Sequence, residues 1–172
     1  MIIGDPYVFS VIFDRVKQWN STQSDNNGFF ALSVYGELFP KCIINAVVDT
    51  SLLEVWKSLN NIPVDDELFS MGKENAMTKL CDLVYPSDWD IDNDYRYELA
   101  PTALTDKNCY VFAVSNNDKI RIIAAELDYD IEESTLIIEG ADIQEVFIDK
   151  NELNHISDEI KSAIDGFKKI FD

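Results

Sequence analysis

The strongest constraint on the fold lies at the C-terminal end of the chain. From Asn151 onward, Leu153, Ile156, Ile160, Ile164, Phe167 and Phe171 recur at steps of three or four residues. That spacing lines up one face of an α-helix, and a helix of this kind is stable only when the apolar face is buried. The remainder of the chain must therefore supply an apolar surface long enough to receive it. Asp149 is the expected N-cap of this helix.

The remainder reads as two strand-rich blocks around a helical middle. Residues 7–16 are apolar, broken only by Ser10, Asp14 and Arg15, and predict a strand. A polar loop is expected over 20–28, then a strand over 29–35, a Gly36-Glu37 turn and a hairpin partner over 38–44. Pro40 suits an edge strand or a bulge. Asp49, Thr50 and Ser51 offer N-cap side chains to a helix through Leu52, Leu53, Val55, Trp56 and Leu59, which Asn60, Asn61 and Pro63 end. Ala76, Met77, Leu80, Leu83 and Val84 place a second helix over Lys73–Val84.

An irregular acidic stretch follows over 86–101. Strands over Cys109–Ser115 and 120–127 flank an Asn116-Asn117-Asp118 turn, and 136–139 and 145–148 add two more around Gly140. This order predicts one α+β domain over 1–172. Its sheet is mostly antiparallel, with helices packed on one face and a long C-terminal amphipathic helix among them.

With 47% hydrophobic residues and only 6 Gly and 5 Pro in 172, the chain is not disordered by composition. Its charge is unusual, with 32 acidic residues against 14 Lys and Arg for a net −18. Eleven acids and six bases fall in residues 1–86, and 21 acids and eight bases in 87–172. Nucleic acid and anionic membrane surfaces are excluded as partners, because both need clustered Lys and Arg. Acidity serves solubility, and it also draws in a cationic protein partner.

Cys42, Cys81 and Cys109 are odd in number, form no Cys-x-x-Cys pair, and each has apolar neighbours. Buried free thiols are expected, as in a reducing cytosol. The opening Met-Ile-Ile-Gly-Asp-Pro lacks the basic start of a signal peptide, and no apolar run reaches membrane length. A cytoplasmic location is expected.

Catalytic machinery is sparse. The chain has one histidine, His155, set inside the C-terminal helix beside its apolar face, where an ordinary partly exposed side chain is expected. There is no Gly-x-Ser-x-Gly elbow, P-loop or Gly-x-Gly-x-x-Gly turn. No catalytic residue, metal or cofactor is assigned. The densest constellation is Asp88-Trp89-Asp90-Ile91-Asp92-Asn93-Asp94-Tyr95-Arg96-Tyr97-Glu98. Its Asp-x-Asp-x-Asp opening matches the start of a calcium loop. Counted from Asp88, however, Asn93 stands where that loop needs Gly and Leu99 where it needs a bidentate Glu. Paired carboxylates doing acid–base work, and a solvated loop anchored by its aromatics, are further readings.

The preferred reading is a protein-binding surface formed by Asp88, Trp89, Asp90, Asp92, Asp94, Tyr95, Tyr97 and Glu98. Trp and Tyr give contact area at low entropic cost, and carboxylates pair with Lys or Arg on a partner. Asp128, Asp130, Glu132 and Glu133 form a second acidic cluster, expected to be a solvated turn.

The opening Met1-Ile2-Ile3-Gly4-Asp5-Pro6-Tyr7-Val8-Phe9, followed by Phe13, Trp19-Asn20, Asn27-Gly28-Phe29-Phe30 and Gly36-Glu37-Leu38-Phe39-Pro40, resembles the start of immunity protein family 42. The likeness covers about the first quarter of the chain as a set of small motifs. It implies a small bacterial protein encoded beside a polymorphic or contact-dependent growth-inhibition toxin, which it binds and blocks in the cytoplasm. A basic toxin domain, such as a nuclease whose active site or substrate groove is occluded, fits the acidity. The alternatives are an acidic nucleic-acid mimic or regulatory binding protein, and a calcium-binding or carboxylate-based enzyme.

Overall fold

The computed structural model describes residues 1–22, 26–88, 90–132 and 135–168. Trp89, Glu133 and Phe171, all named above, lie outside the described residues. Strands β1 (Ile2–Asp5), β2 (Phe9–Arg15), β3 (Asn27–Val34), β4 (Glu37–Phe39) and β5 (Asn45–Val47) form a first antiparallel sheet in the order β1-β2-β3-β4, with β5 also paired to β3. The period-2 alternation turns Phe9, Val11 and Phe13 of β2, and Phe30, Leu32 and Val34 of β3, into the core.

Between the sheets in sequence come helices α1 (Val48–Leu59), α2 (Asp66–Ser70), α3 (Lys73–Val84) and the short α4 (Thr102–Thr105). A second antiparallel sheet, order β10-β7-β6, joins β6 (Cys109–Ser115), β7 (Lys119–Glu126) and β10 (Gln144–Asp149), while β8 (Asp128–Asp130) and β9 (Thr135–Ile137) pair with each other as a separate two-stranded sheet. Helix α5 (Lys150–Lys168) follows β10 directly. The α+β class, antiparallel sheets and long C-terminal helix match the sequence-based expectation.

Strands β6 and β7 of the second sheet are buried throughout apart from the ends of β7, the pattern of strands covered on both faces. Val111 and Ala113 of β6 with Ile120, Ile122 and Ala124 of β7 join the first sheet, α1 and α5 in one core. Tyr110, Phe112 and Val114 with Ile123 and Ala125 face a second core built with α2 and α3. Leu153, Ile156, Ile160 and Ile164 bury the α5 stripe in the first core. Helices thus flank the second sheet on both sides, while α1 covers the first.

Arg121 of β7 lies on the second-core face and is 1% exposed. Its Nε and Nη2 donate to Glu145 Oε2 (3.0 and 2.7 Å), and Nη1 donates to the carbonyls of Leu68 (2.9 Å) and Met71 (2.7 Å). Those carbonyls belong to the end of α2, whose last turn lacks intrahelical donors. A buried guanidinium therefore ties α2 to the sheet, with the Phe147 ring 5.6 Å from its carbon.

Several local expectations change. The β3–β4 turn is Tyr35-Gly36 rather than Gly36-Glu37, since Val34 pairs with Glu37. Tyr35 and Gly36 take φ of +54° and +83°, the left-handed pair that a tight hairpin requires. Strand β4 ends at Phe39, before the cis Phe39–Pro40 peptide, so 40–44 does not continue the hairpin. Cys42 lies in that segment and is exposed, against the expected burial, whereas Cys81 and Cys109 are buried. Helix α1 begins one residue before the expected cap. Asp49 sits in its first turn and accepts hydrogen bonds from Asn26 Nδ2 and the Thr50 N–H, both at 2.9 Å. Asp128 and Asp130 lie on β8 rather than in a turn. No helix among the described residues is long and apolar enough to cross a membrane.

Candidate protein-binding site

The acidic stretch is tied down at its middle and at its far end, and Asp88 and residues 90–93 before these ties are exposed. Ahead of it, α3 leaves unsatisfied carbonyls at its C-terminus. The Asp94 N–H donates to the Leu83 carbonyl and Asn93 Nδ2 to the Val84 carbonyl, both at 2.8 Å. The Tyr85 ring, just past α3, packs edge-on against Tyr95 (centroids 6.3 Å apart) and Tyr110 (5.3 Å). At the far end, the N–H groups of Leu99 and Ala100 both donate to the Val111 carbonyl of β6 (2.8 and 3.0 Å).

These tethers divide the eight candidate residues. Asp88, Asp90, Asp92 and Tyr95 are exposed, and Tyr95 keeps 57% of its surface in water. The neighbouring Ile91 is also exposed. Asp94 is half-buried and paired with Arg96, whose Nε and Nη2 donate at 2.8 and 2.6 Å. The hydrogen bonds from Arg96 hold the Asp94 carboxyl below the usual carboxylate range. Tyr97 points inward, 7% exposed, and donates through its hydroxyl to Asp65 Oδ2 at 3.2 Å. Asp65 in turn caps α2 through Oδ1 and the Leu68 N–H (2.9 Å). Tyr97 thus anchors the loop and offers a partner little area.

Glu98 is half-buried and accepts the Tyr85 hydroxyl. Burial, with the Glu54 carboxylate nearby, pushes its pKa up to about 7. Glu54 is itself used on α4, accepting from the Thr102 N–H at 2.9 Å. The geometry makes the exposed half of the loop a display of carboxylates and apolar side chains on a rigid base. The other half is scaffold. No group of three or more His, Cys, Asp or Glu side chains able to hold a metal occurs among the described residues.

A groove of about 760 Å³ lies elsewhere, where β1 and β2 meet α5. Met1, Ile2, Ile3, Phe13, Ala163 and Phe167 contribute apolar lining, while Asp14, Asp158 and Glu159 add carboxylates, with Arg15 and His155 beside them. Sequence reasoning assigned no role to this site. The available signal was the small set Ser162, Ala163 and Gly166 between acidic positions on α5, which leaves a notch on a helix otherwise lined by larger side chains.

The chain is similar in fold to the crystal structure of CdiI from Burkholderia dolosa AUO158, with a TM-score of 0.76 and 22% sequence identity, covering 95% of this chain and 99% of that one. No curated protein sequence matches it. The family model described as immunity protein 42 matches residues 1–163, nearly the whole chain rather than its first quarter alone. The chain belongs to the immunity protein 42 family.

Proposed function

We propose that this protein binds a cognate bacterial toxin domain and neutralises it by steric occlusion, without catalysis of its own. The reading is carried by the family match over residues 1–163. The fold likeness to CdiI supports it, since that structure aligns over 95% of the chain. The contact surface is the exposed half of the acidic loop, with Asp88, Asp90, Asp92 and Tyr95 facing the partner and Asp94, Tyr97 and Glu98 holding the loop in shape. A net charge of −18 favours a basic partner, such as a nuclease domain, and speeds its capture in the cytoplasm.

The test is co-expression with the toxin domain encoded beside this protein. Wild type should co-purify with that domain one-to-one and restore growth. Reversal of Asp88, Asp90 and Asp92 to Lys should weaken binding at least about tenfold, through lost steering and new repulsion. Unchanged protection by the triple variant rules out the loop as the contact surface. Failure of the wild type to bind rules out the immunity reading.

A further inference from the structure

We propose that the groove between β1 and α5 is a second contact for the same partner, receiving an extended segment that carries an apolar side chain and at least one Lys or Arg. This rests on the toxin-binding reading and adds where and in what form part of the toxin is held. The groove belongs to the first core, whereas the acidic loop is tethered to α3 and β6 on the second-core side.

The backbone supplies the first argument. Strand β1 is the outer strand of the first sheet, paired among the described residues only with β2. Phe13 donates its N–H to the Met1 carbonyl at 3.0 Å and accepts from the Met1 amine, so Met1 and Phe13 form a hydrogen-bonded pair. The register Ile2↔Ile12, Ile3↔Val11 and Gly4↔Ser10 then alternates wide and narrow pairs. The N–H and C=O groups of Ile2 therefore turn away from β2, as a template for one more strand.

The lining supplies the second. Phe13 and Phe167, with ring centroids 6.4 Å apart, lie in the groove with Ile3 and Ala163, and Ile2 beside them is 57% exposed. A Cβ built at Gly166 meets nothing within 4 Å, so the helix wall is open there. By contrast, a Cβ at Gly4 would come within 2.4 Å of the Phe9 carbonyl oxygen and 3.1 Å of Ile156 Cδ1. That close approach seats β1 on α5 and keeps edge and groove side by side. The charge supplies the third. Three exposed carboxylates, Asp14, Asp158 and Glu159, line it beside one guanidinium, one imidazole and the Met1 amine, which is already bonded to the Phe13 carbonyl. With −18 overall, a second copy of this chain is a repelled occupant and a cationic segment an attracted one.

Ser162→Trp fills the groove from an exposed position on α5, and Asp158→Lys with Glu159→Lys reverses its rim without touching the core. Each variant is compared with wild type by calorimetric titration against the purified co-encoded toxin domain, with thermal unfolding as the check on folding. Both variants should melt like wild type and raise Kd at least about tenfold. The amide of Ile2 should gain hydrogen-exchange protection in the wild-type complex. Wild-type affinity in both variants, or an unprotected Ile2 amide, overturns the groove while leaving the immunity reading intact. A wild-type dimer that Ser162→Trp dissolves also overturns it, in favour of a second copy. A wild type that does not bind the toxin domain overturns both readings. Should Ser162→Trp unfold, the charge-reversed variant alone decides.

Discussion

Arg96 holds Asp94 at 2.6 Å and Arg121 holds Glu145 at 2.7 Å, and the two carboxylates are similarly exposed (25% and 28%), yet the two arginines sit at opposite extremes. The Arg96 side chain is 69% exposed and the Arg121 side chain 1%. In water, a good ion pair is nearly matched by hydration of the separate charges, and it contributes little to stability. Inside the second core the guanidinium has lost its water. Every donor it directs at Glu145 and at the α2 carbonyls is then needed to offset that loss. Near-equal distances therefore describe a surface feature open to a partner in one case and a structural rivet in the other.

Four changes would break or sharpen this contrast. Arg121→Ala should cost about 3–5 kcal/mol, because it strands the α2 carbonyls and leaves a void in the second core. Chemical denaturation measures it, and a loss as small as that of a surface residue would end the comparison. Glu98→Gln should change how stability varies with pH. The Glu98 pKa is raised from 4.5 to about 7 in the folded protein, so wild type is penalised as pH climbs through that interval. Below 4.5 the carboxyl is protonated in both states and the penalty is absent. Melting curves taken from below 4.5 to above 7 should show wild type losing stability relative to Glu98→Gln, and parallel curves would remove the assigned cause.

Tyr97→Phe keeps the ring in the core and removes only the bond to Asp65. A loss of about 0.5–1.5 kcal/mol is expected by denaturant titration. Arg96→Ala should leave the denaturation midpoint unchanged, since both the arginine and its partner reach solvent. Its effect should appear instead in association kinetics, where removal of a cation from the acidic loop raises the on-rate for a basic toxin domain at low salt and not at high salt.

The candidate loop was legible in the sequence because exposed charge leaves a compositional mark. Eleven consecutive residues with five carboxylates cannot be core. The split inside that run was not legible. Tyr95 and Tyr97 are two residues apart and chemically identical, yet one faces water and the other reaches Asp65, 32 residues earlier. The β1–α5 groove was hidden for the same reason. Its two walls lie at opposite ends of the chain, and nothing in the spacing of either points to the other.

What the chain determined by itself was its local order. The α5 stripe, the span of α3 and the strand β6 follow from the spacing of apolar side chains, because periodicity is a local property that burial rewards wherever the element docks. The second acidic cluster shows the limit. Asp128 and Asp130 become a strand only because β9 pairs with β8. Arg121 shows it more sharply, as one cation inside an apolar strand whose role needs Glu145, Leu68 and Met71 brought together by the fold. Only the tertiary structure decided which polar groups are buried with partners and which face water, because hydrogen bonds between distant residues impose no spacing on the sequence.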